Sequence, residues 1–343
     1  MRGQREVAHV EGDKDDTMKI TVIGGGTGLS VLLRGLKKID EVKLTAVVSV
    51  ADDGGSSGVI REDLGMLPPG DIRSCLLALA EDETGMREIL AHRFSEGRLD
   101  GQSVGNIILA AAAEIYGNFE RGIERISDFL QVRGRVIPVS EERMILCAEL
   151  ENGSIVIGES QIPKVVASES SRIADVFLES GGVRMSESAR RAVMDADAIV
   201  IGPGSLYTSI IPNLLSTGMR EAISSTRAVK IYAANVMTQP GETDGMSVSE
   251  HVAILFNYLD EGAIDHALIN DKELTADELA KYMNGGADQL LADDDDRRAI
   301  RARGVDIIEG GFIDIERGYV KHDADAIAYV IRTLTRNRIL GHS

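Results

Sequence analysis

The sequence predicts an α/β protein built on a doubly wound, mostly parallel sheet. Three observations carry that prediction. Short aliphatic runs alternate with segments of helical periodicity along the chain. Several of those runs end in glycine-rich or polar loops. Aromatic residues make up only 4% of the 343 residues and tryptophan is absent, so the core is built from Val, Ile, Leu and Ala, the composition of a buried parallel sheet.

The elements follow in order. Residues 19–23 form a β-type run that ends in Gly24-Gly25-Gly26-Thr27-Gly28, after which Leu29, Leu32, Leu33 and Leu36 mark one helix face. Residues 44–50 are a second buried strand, followed by Ala51-Asp52-Asp53-Gly54-Gly55-Ser56-Ser57-Gly58. Strand, glycine loop, helix and strand make a βαβ unit with a right-handed crossover. Leu67-Pro68-Pro69-Gly70 breaks the chain before a helix carrying Ile72, Cys75, Leu76 and Leu79. Helical patterns then run without strong strands over about residues 85–130, which reads as a helical insertion or cap. Asn152-Gly153, between residues 144–150 and 154–158, signals a hairpin at an edge of the fold. Ser186 is an N-cap. Residues 198–201, 229–234, 267–270 and 305–308 are further strands, and Ile327, Val330, Ile331 and Leu334 mark the last helix. Asp293 to Asp296, followed by Arg297 and Arg298, reads as a solvated face with local charge pairing. Residues 1–17 are polar and read as a disordered tail or an alternative-start artefact.

Composition narrows the function. The formal net charge is −18 and no run of Lys or Arg appears, so a nucleic acid would meet a repulsive field. No apolar stretch reaches membrane-spanning length, so membrane insertion is not expected and a cytoplasmic location is. Cys75 and Cys147 form no CxxC pair and read as small core residues, and the six histidines show no metal-ligand spacing.

Ligands of open α/β sheets sit beyond the carboxyl ends of the strands. Four such ends carry unusual loops: residues 24–28, 52–58, 202–205 and 235–243. Glycines let a backbone approach a phosphate, and the following helix N-terminus offers free N–H groups. Gly25, Gly26, Thr27 and Gly28 are therefore candidate ligand contacts, although Leu29 stands where a G-x-G-x-x-G dinucleotide fingerprint needs glycine. A tight strand-to-helix turn without ligand accounts for this loop equally well. Asp52 and Asp53 could hold a ribose hydroxyl, or Mg²⁺ against phosphates, with Gly55, Ser56 and Ser57 as donors; a solvated turn is the plain alternative. Asp71 and Arg73 open a helix, as ligand groups or as a local ion pair, and Asn106 is a helix N-cap or a ligand contact. Gly202, Pro203, Gly204, Ser205 and Thr208 form a second candidate anion site, and Asn235, Thr238 and Gln239 gather beside a buried strand end. His322, close to the cap of the last helix, reads as structural. No nucleophile elbow or zinc motif appears. The residues thus describe a binding site better than a catalytic one.

Five motifs in order resemble the YvcK-type gluconeogenesis factor family of the CofD-like superfamily, whose enzyme member is 2-phospho-L-lactate transferase. They are Ile23 to Leu29, Ala51 to Gly58, Pro69 to Arg73, Ile201 to Thr208 and Asn235 to Gln239. The resemblance implies a Rossmann-like three-layer α/β/α sandwich in a single domain over residues 18–343. It implies a cytoplasmic factor that binds UDP-sugars such as UDP-N-acetylglucosamine and supports gluconeogenic growth and cell shape. By position it assigns Tyr282 and Lys321 to the nucleotide sugar. The enzyme branch instead uses Mg²⁺ to transfer a phospholactyl group from a guanosine diphosphate ester, with Asp52 and Asp53 as its catalytic and metal-holding acids. The Asp-Asp-Gly-Gly-Ser-Ser-Gly loop is closer to the factor branch. An NAD-type binder is a third reading, favoured by Asp52 and weakened by Leu29. A homo-oligomer is the expected assembly.

Overall fold

The computed structural model describes residues 17–81, 85–283, 285–316 and 319–341. The expected disordered tail lies outside them, apart from Thr17. In chain order the strands are β1 (Met18–Gly24), β2 (Val42–Val48), β3 (Arg135–Pro138), β4 (Leu146–Leu150), β5 (Ile155–Ile157), β6 (Ile173–Leu178), β7 (Ala198–Ile201), β8 (Val229–Ala233), β9 (His266–Asn270), β10 (Asp306–Gly310), β11 (Ile313–Glu316) and β12 (Tyr319–His322).

The central sheet has the order β10-β9-β8-β7-β1-β2-β3, and all its pairings are parallel. Ile20, Val22 and Ile23 of β1 are sealed on both faces, as are the four residues of β7. Aliphatic side chains on both faces require helices on both faces. One layer holds the helices Gly26–Leu36, Gly70–Leu79 and Ala324–Ile339. The other holds Glu187–Met194, Ile211–Leu214, Met219–Ser225, Val248–Tyr258 and Asp294–Ala302. The result is the three-layer sandwich the sequence predicts.

From β1 the chain runs outward through β2 to β3, then returns to β7 on the other flank of β1 and runs outward to β10. The direction of winding reverses between β1 and β7, which opens a crevice beyond their carboxyl ends. The helical stretch expected over residues 85–130 comprises helices Gly85–Ala91, Val104–Tyr116 and Phe119–Phe129 with a short turn at Gly97–Leu99. The Asn152-Gly153 hairpin is β4–β5, which joins β6 in a separate antiparallel sheet of order β5-β4-β6.

Some local expectations are corrected. Ser103, not Asn106, occupies the N-cap of helix Val104–Tyr116, and Asn106 is buried in its first turn. The acidic run is more than a solvated face. Asp293 and Asp296 form a capping box, and buried Asp296 accepts hydrogen bonds from the Ser247 hydroxyl (2.7 Å) and the Ser249 amide (3.0 Å). Arg297 and Arg298 pair with Asp294 and Asp295 as expected.

Asn213 joins the two strand ends that define the crevice. Its side chain is fully buried and donates to the carbonyls of Gly24 (3.0 Å) and Ser209 (2.8 Å). The first bond holds the end of β1 and the second holds the turn Leu206–Ile210 that follows β7. Asn213→Leu keeps the volume and deletes both bonds, so it should lower the unfolding free energy by about 2 kcal/mol. Urea titration measures this, and an unchanged midpoint would show that the tie does not matter.

Candidate functional site

The crevice is built by loops that meet without side chains. β1 ends at Gly24, Gly25 is buried and extended, and helix Gly26–Leu36 starts at Gly26 with φ +66°. A Cβ on Gly28 would lie 2.8 Å from the Pro203 carbonyl oxygen and 3.0 Å from Gly204 Cα. Only glycine permits that contact. Asn235, just beyond β8, then clamps the second loop: its Oδ1 accepts from the Gly204 amide (3.1 Å) and its Nδ2 donates to the Gly204 carbonyl (2.8 Å). Ser205 donates to Gln239 (2.6 Å), and the Thr238 hydroxyl accepts from the Asp288 amide (2.8 Å).

The cleft above these loops measures about 460 Å³, within the range of small-molecule sites. Gly25, Gly26, Thr27, Gly28, Gly204, Ser205, Asn235, Thr238, Tyr282 and Lys321 all line it, so the structure brings together about half of the residues singled out from the sequence. Tyr282 and Lys321 form its far wall with His322. The Tyr282 hydroxyl accepts from the Val320 amide, and Lys321 Nζ lies 2.5 Å from Glu316. None of the lining residues is acidic and Lys321 is a cation, in a chain of net charge −18.

The remaining candidates do not line the cleft. Asp52, Asp53, Ser57, Asp71, Arg73 and Asn106 form a half-buried to buried network behind the first glycine loop. Asp71 is its point of contact with the cleft: a Cβ on Gly25 would lie 2.5 Å from the Asp71 carboxylate. Asp52 Oδ1 accepts from the Gly54 amide (2.9 Å), while a Cβ on Gly70 would lie 2.7 Å from its Oδ2. Asp53 turns away to accept from the Ser160 amide (2.8 Å). Arg73 donates to Ser103 and to Asn106 Oδ1 (3.0 Å) rather than pairing with Asp71, and burial pushes its pKa down. Ser56 is buried and bonded to Gln102, Gly55 is exposed, and Gly202 and Pro203 are buried under the second loop.

Thr208 is committed elsewhere. Its hydroxyl donates to Glu242 Oε1 at 2.9 Å, and the amides of Tyr207 and Thr208 also face that carboxylate. The helix start after β7, expected to hold a ligand anion, thus holds an anion of the chain's own. The Gly26 amide likewise faces the Asp71 carboxylate. Glu242 and Glu159 complete a group of acids that the sequence did not bring together. Burial pushes Glu242 up to about 7. Burial, then Asp52, pushes Asp71 up to about 6. Burial, then the charges of Asp52, Glu242, Asp53 and Asp71, push Glu159 up to about 8. Among the described residues no three or more Asp, Glu, His or Cys side chains are arranged to hold a metal ion.

Comparison with known proteins places this geometry. The family model described as 2-phospho-L-lactate transferase CofD matches residues 20–313. The chain belongs to the CofD family. Within that family, it is 43% identical over 313 residues to the gluconeogenesis factor of Halalkalibacterium halodurans, spanning 91% of this chain and 95% of that one. It is 41% identical over 319 residues to the gluconeogenesis factor of Bacillus subtilis, spanning 93% and 98%. The crystal structure of a UPF0052 family member from Bacillus halodurans superposes with a TM-score of 0.87 at 43% identity, covering 92% of this CofD-family chain and 99% of that one. Among the described residues no helix is long and apolar enough to cross a membrane.

The acids make stability pH-dependent. Their ordinary values are 3.8 for Asp71 and 4.5 for Glu159 and Glu242, and each is raised in the folded state. These three acids therefore bind more protons in the folded protein than in the unfolded chain from about pH 4 to about pH 8, and their contribution to stability falls as pH rises through that window, opposed below about pH 6.5 by the buried His251 and His322, whose pKa burial lowers. At about 1.4 kcal/mol per pKa unit, discounted for the partial exposure of Asp71 and Glu159, the loss is on the order of a few kcal/mol. The thermal midpoint should be lower at about pH 8 than at about pH 6, and Glu242→Gln should shrink the difference. Equal midpoints at the two pH values, or an undiminished difference in the variant, would contradict this assignment.

Proposed function

We propose that this CofD-family chain is a cytoplasmic nucleotide-sugar-binding factor of the UDP-N-acetylglucosamine type, which supports gluconeogenic growth and cell-shape and cell-wall homeostasis. The observation that carries the binding reading is the cleft itself. It lies at the switch point of the sheet, two glycine loops meet in it, it contains no acid, and Lys321 stands at its wall. A diphosphate would lie along the backbone at Thr27, Gly28, Gly204 and Ser205, the nucleoside and sugar against Asn235, Thr238, Tyr282 and Lys321. The gluconeogenic role rests on the names of the relatives.

A second reading, a Mg²⁺-dependent transferase of the 2-phospho-L-lactate transferase type, is favoured by the description of the family model and by the acids behind the loop. Mg²⁺ at phosphate sites takes one or two carboxylates and completes its shell with phosphates and water. Asp52 and Asp71, which adjoin Gly70 and Gly25, fit that role better than the adjacent pair Asp52 and Asp53, because Asp53 is turned to Ser160. The ion would supply charge neutralisation for a diphosphate, and the glycine loops would hold the phosphates in place. The NAD reading has less support: Leu29 fills the position of the third glycine and is fully buried.

Thermal shift with UDP-N-acetylglucosamine, UDP-glucose, GDP and NAD, each with and without Mg²⁺, separates these readings. A ligand at one hundred times its Kd should stabilise the protein by about 2.7 kcal/mol. The absence of a shift with either UDP-sugar sinks the first reading, and a Mg²⁺-dependent shift confined to GDP favours the second. Lys321→Ala should weaken the UDP-sugar by about tenfold or more, the worth of a hydrogen bond from a charged donor. Unchanged affinity in that variant would remove Lys321 from the site.

A further inference from the structure

Most polar side chains of the cleft are spent on one another. Asn235 holds Gly204, Ser205 holds Gln239, and Thr238 holds Asp288. Tyr282 accepts from Val320 and keeps its own proton to donate. Lys321 is a donor only. His322 differs. Its Nε2 lies 3.2 Å from the carbonyl oxygen of Ala234, at the end of β8. A carbonyl can only accept, so Nε2 carries the proton, and Nδ1 of the neutral ring is left with a lone pair. Burial holds the ring neutral by pushing its pKa down to about 4. Nδ1 has no hydrogen-bond partner among the described residues, and it is not among the buried atoms left without one. The open space that His322 borders is the cleft.

We infer that His322 is a specificity-determining residue of the cleft, whose Nδ1 accepts a hydrogen bond from an N–H or O–H of the ligand beyond its phosphates. The inference rests on the nucleotide reading of the site. It adds what that reading lacks, a side chain that can only accept, in a cleft whose uncommitted groups otherwise donate or can do either. A phosphate cannot satisfy it, because an ionised phosphate has no proton to give. A uracil imide N–H can, and so can a sugar hydroxyl or acetamido N–H. An ionised group or a bare apolar edge at this point would leave the lone pair buried and unpaired, which is how such sites reject the wrong ligand.

The test separates the two nitrogens. His322→Gln can keep the donor to Ala234 and loses the Nδ1 acceptor. His322→Asn places an acceptor close to Nδ1 and loses the donor to Ala234. Isothermal titration of the full chain and both variants uses UDP-N-acetylglucosamine, UDP and inorganic pyrophosphate as probes. His322→Gln should weaken UDP-N-acetylglucosamine by about tenfold, one hydrogen bond with its desolvated acceptor, while pyrophosphate stays within about twofold of the parent. His322→Asn should recover most of the loss. If the loss appears with UDP alone the donor is on the nucleoside, and if it needs the sugar the donor is there. Parent-like binding by His322→Gln overturns the inference, as does an equal loss of pyrophosphate and nucleotide in both variants, the mark of a structural role. A parent chain that binds none of the nucleotides, GDP included, overturns the nucleotide reading and the inference together. That outcome is distinct from a parent that binds and a His322→Gln variant that binds equally.

Discussion

The cleft depends on the approach of two loops at the point where the sheet reverses its winding. β1 and β7 are neighbours, so the turns that leave them compete for one volume. The Pro203 carbonyl occupies the place a side chain on residue 28 would need. Asn213 then ties the end of β1 to the turn after β7, and Asn235 ties that loop to the end of β8. Three strand ends are thereby held together by backbone contact and two amide side chains. Thr27 and Gly28, in the first turn of the helix after β1, line the cleft as a consequence of this packing, before any ligand is considered.

The same packing explains the buried acids. A helix N-terminus with unpaired amides inside a protein must find an acceptor, and burying it without one costs free energy. Glu242 fills that role for Tyr207 and Thr208, and Asp71 for Gly26. Each carboxylate gives up hydration to do so, which raises its pKa, and the charge of Asp52 raises that of Asp71 further. The chain thus braces its loops with carboxylates of raised pKa. A phosphate entering the adjacent cleft would favour their protonated forms.

The sequence made the sheet legible because buried parallel strands are aliphatic on both faces and end in glycine-rich or polar loops. β1, β2, β7, β8 and β9 announce themselves in that way. It missed β3, whose four residues Arg135 to Pro138 are too few to show a period, and the β11–β12 hairpin, whose residues are largely polar. The site was legible where function needs a backbone conformation, as at Gly28, and where polar residues crowd a strand end, as at Asn235 and Thr238. It was illegible where a side chain's role is set by a partner distant in sequence. Thr208 was read as a ligand hydroxyl, but its proton goes to Glu242, thirty-four positions away. Arg73 was weighed as a phosphate contact or a partner for Asp71, but its donors go to Ser103 and Asn106. Nothing in a lone histidine before a helix cap distinguishes His322 as a cleft residue until Ala234 fixes its tautomer.

The proposed binding of a diphosphate by a chain of net charge −18 is contradictory until the charges are placed. Screening limits the reach of exposed charges to about 10 Å in ordinary salt, so the global charge governs encounter more than it governs the bound state. Inside the cleft the relevant groups are the glycine loops, hydroxyls and Lys321, whose charge is paired with Glu316 at the wall, while burial raises the pKa of Asp71 and Glu242 behind the loops. On the proposed reading, the same arrangement would disfavour larger polyanions. A nucleic acid would have to lie against the acidic exterior along its length, whereas a nucleotide with two phosphates meets only the acid-free walls of a cleft of about 460 Å³.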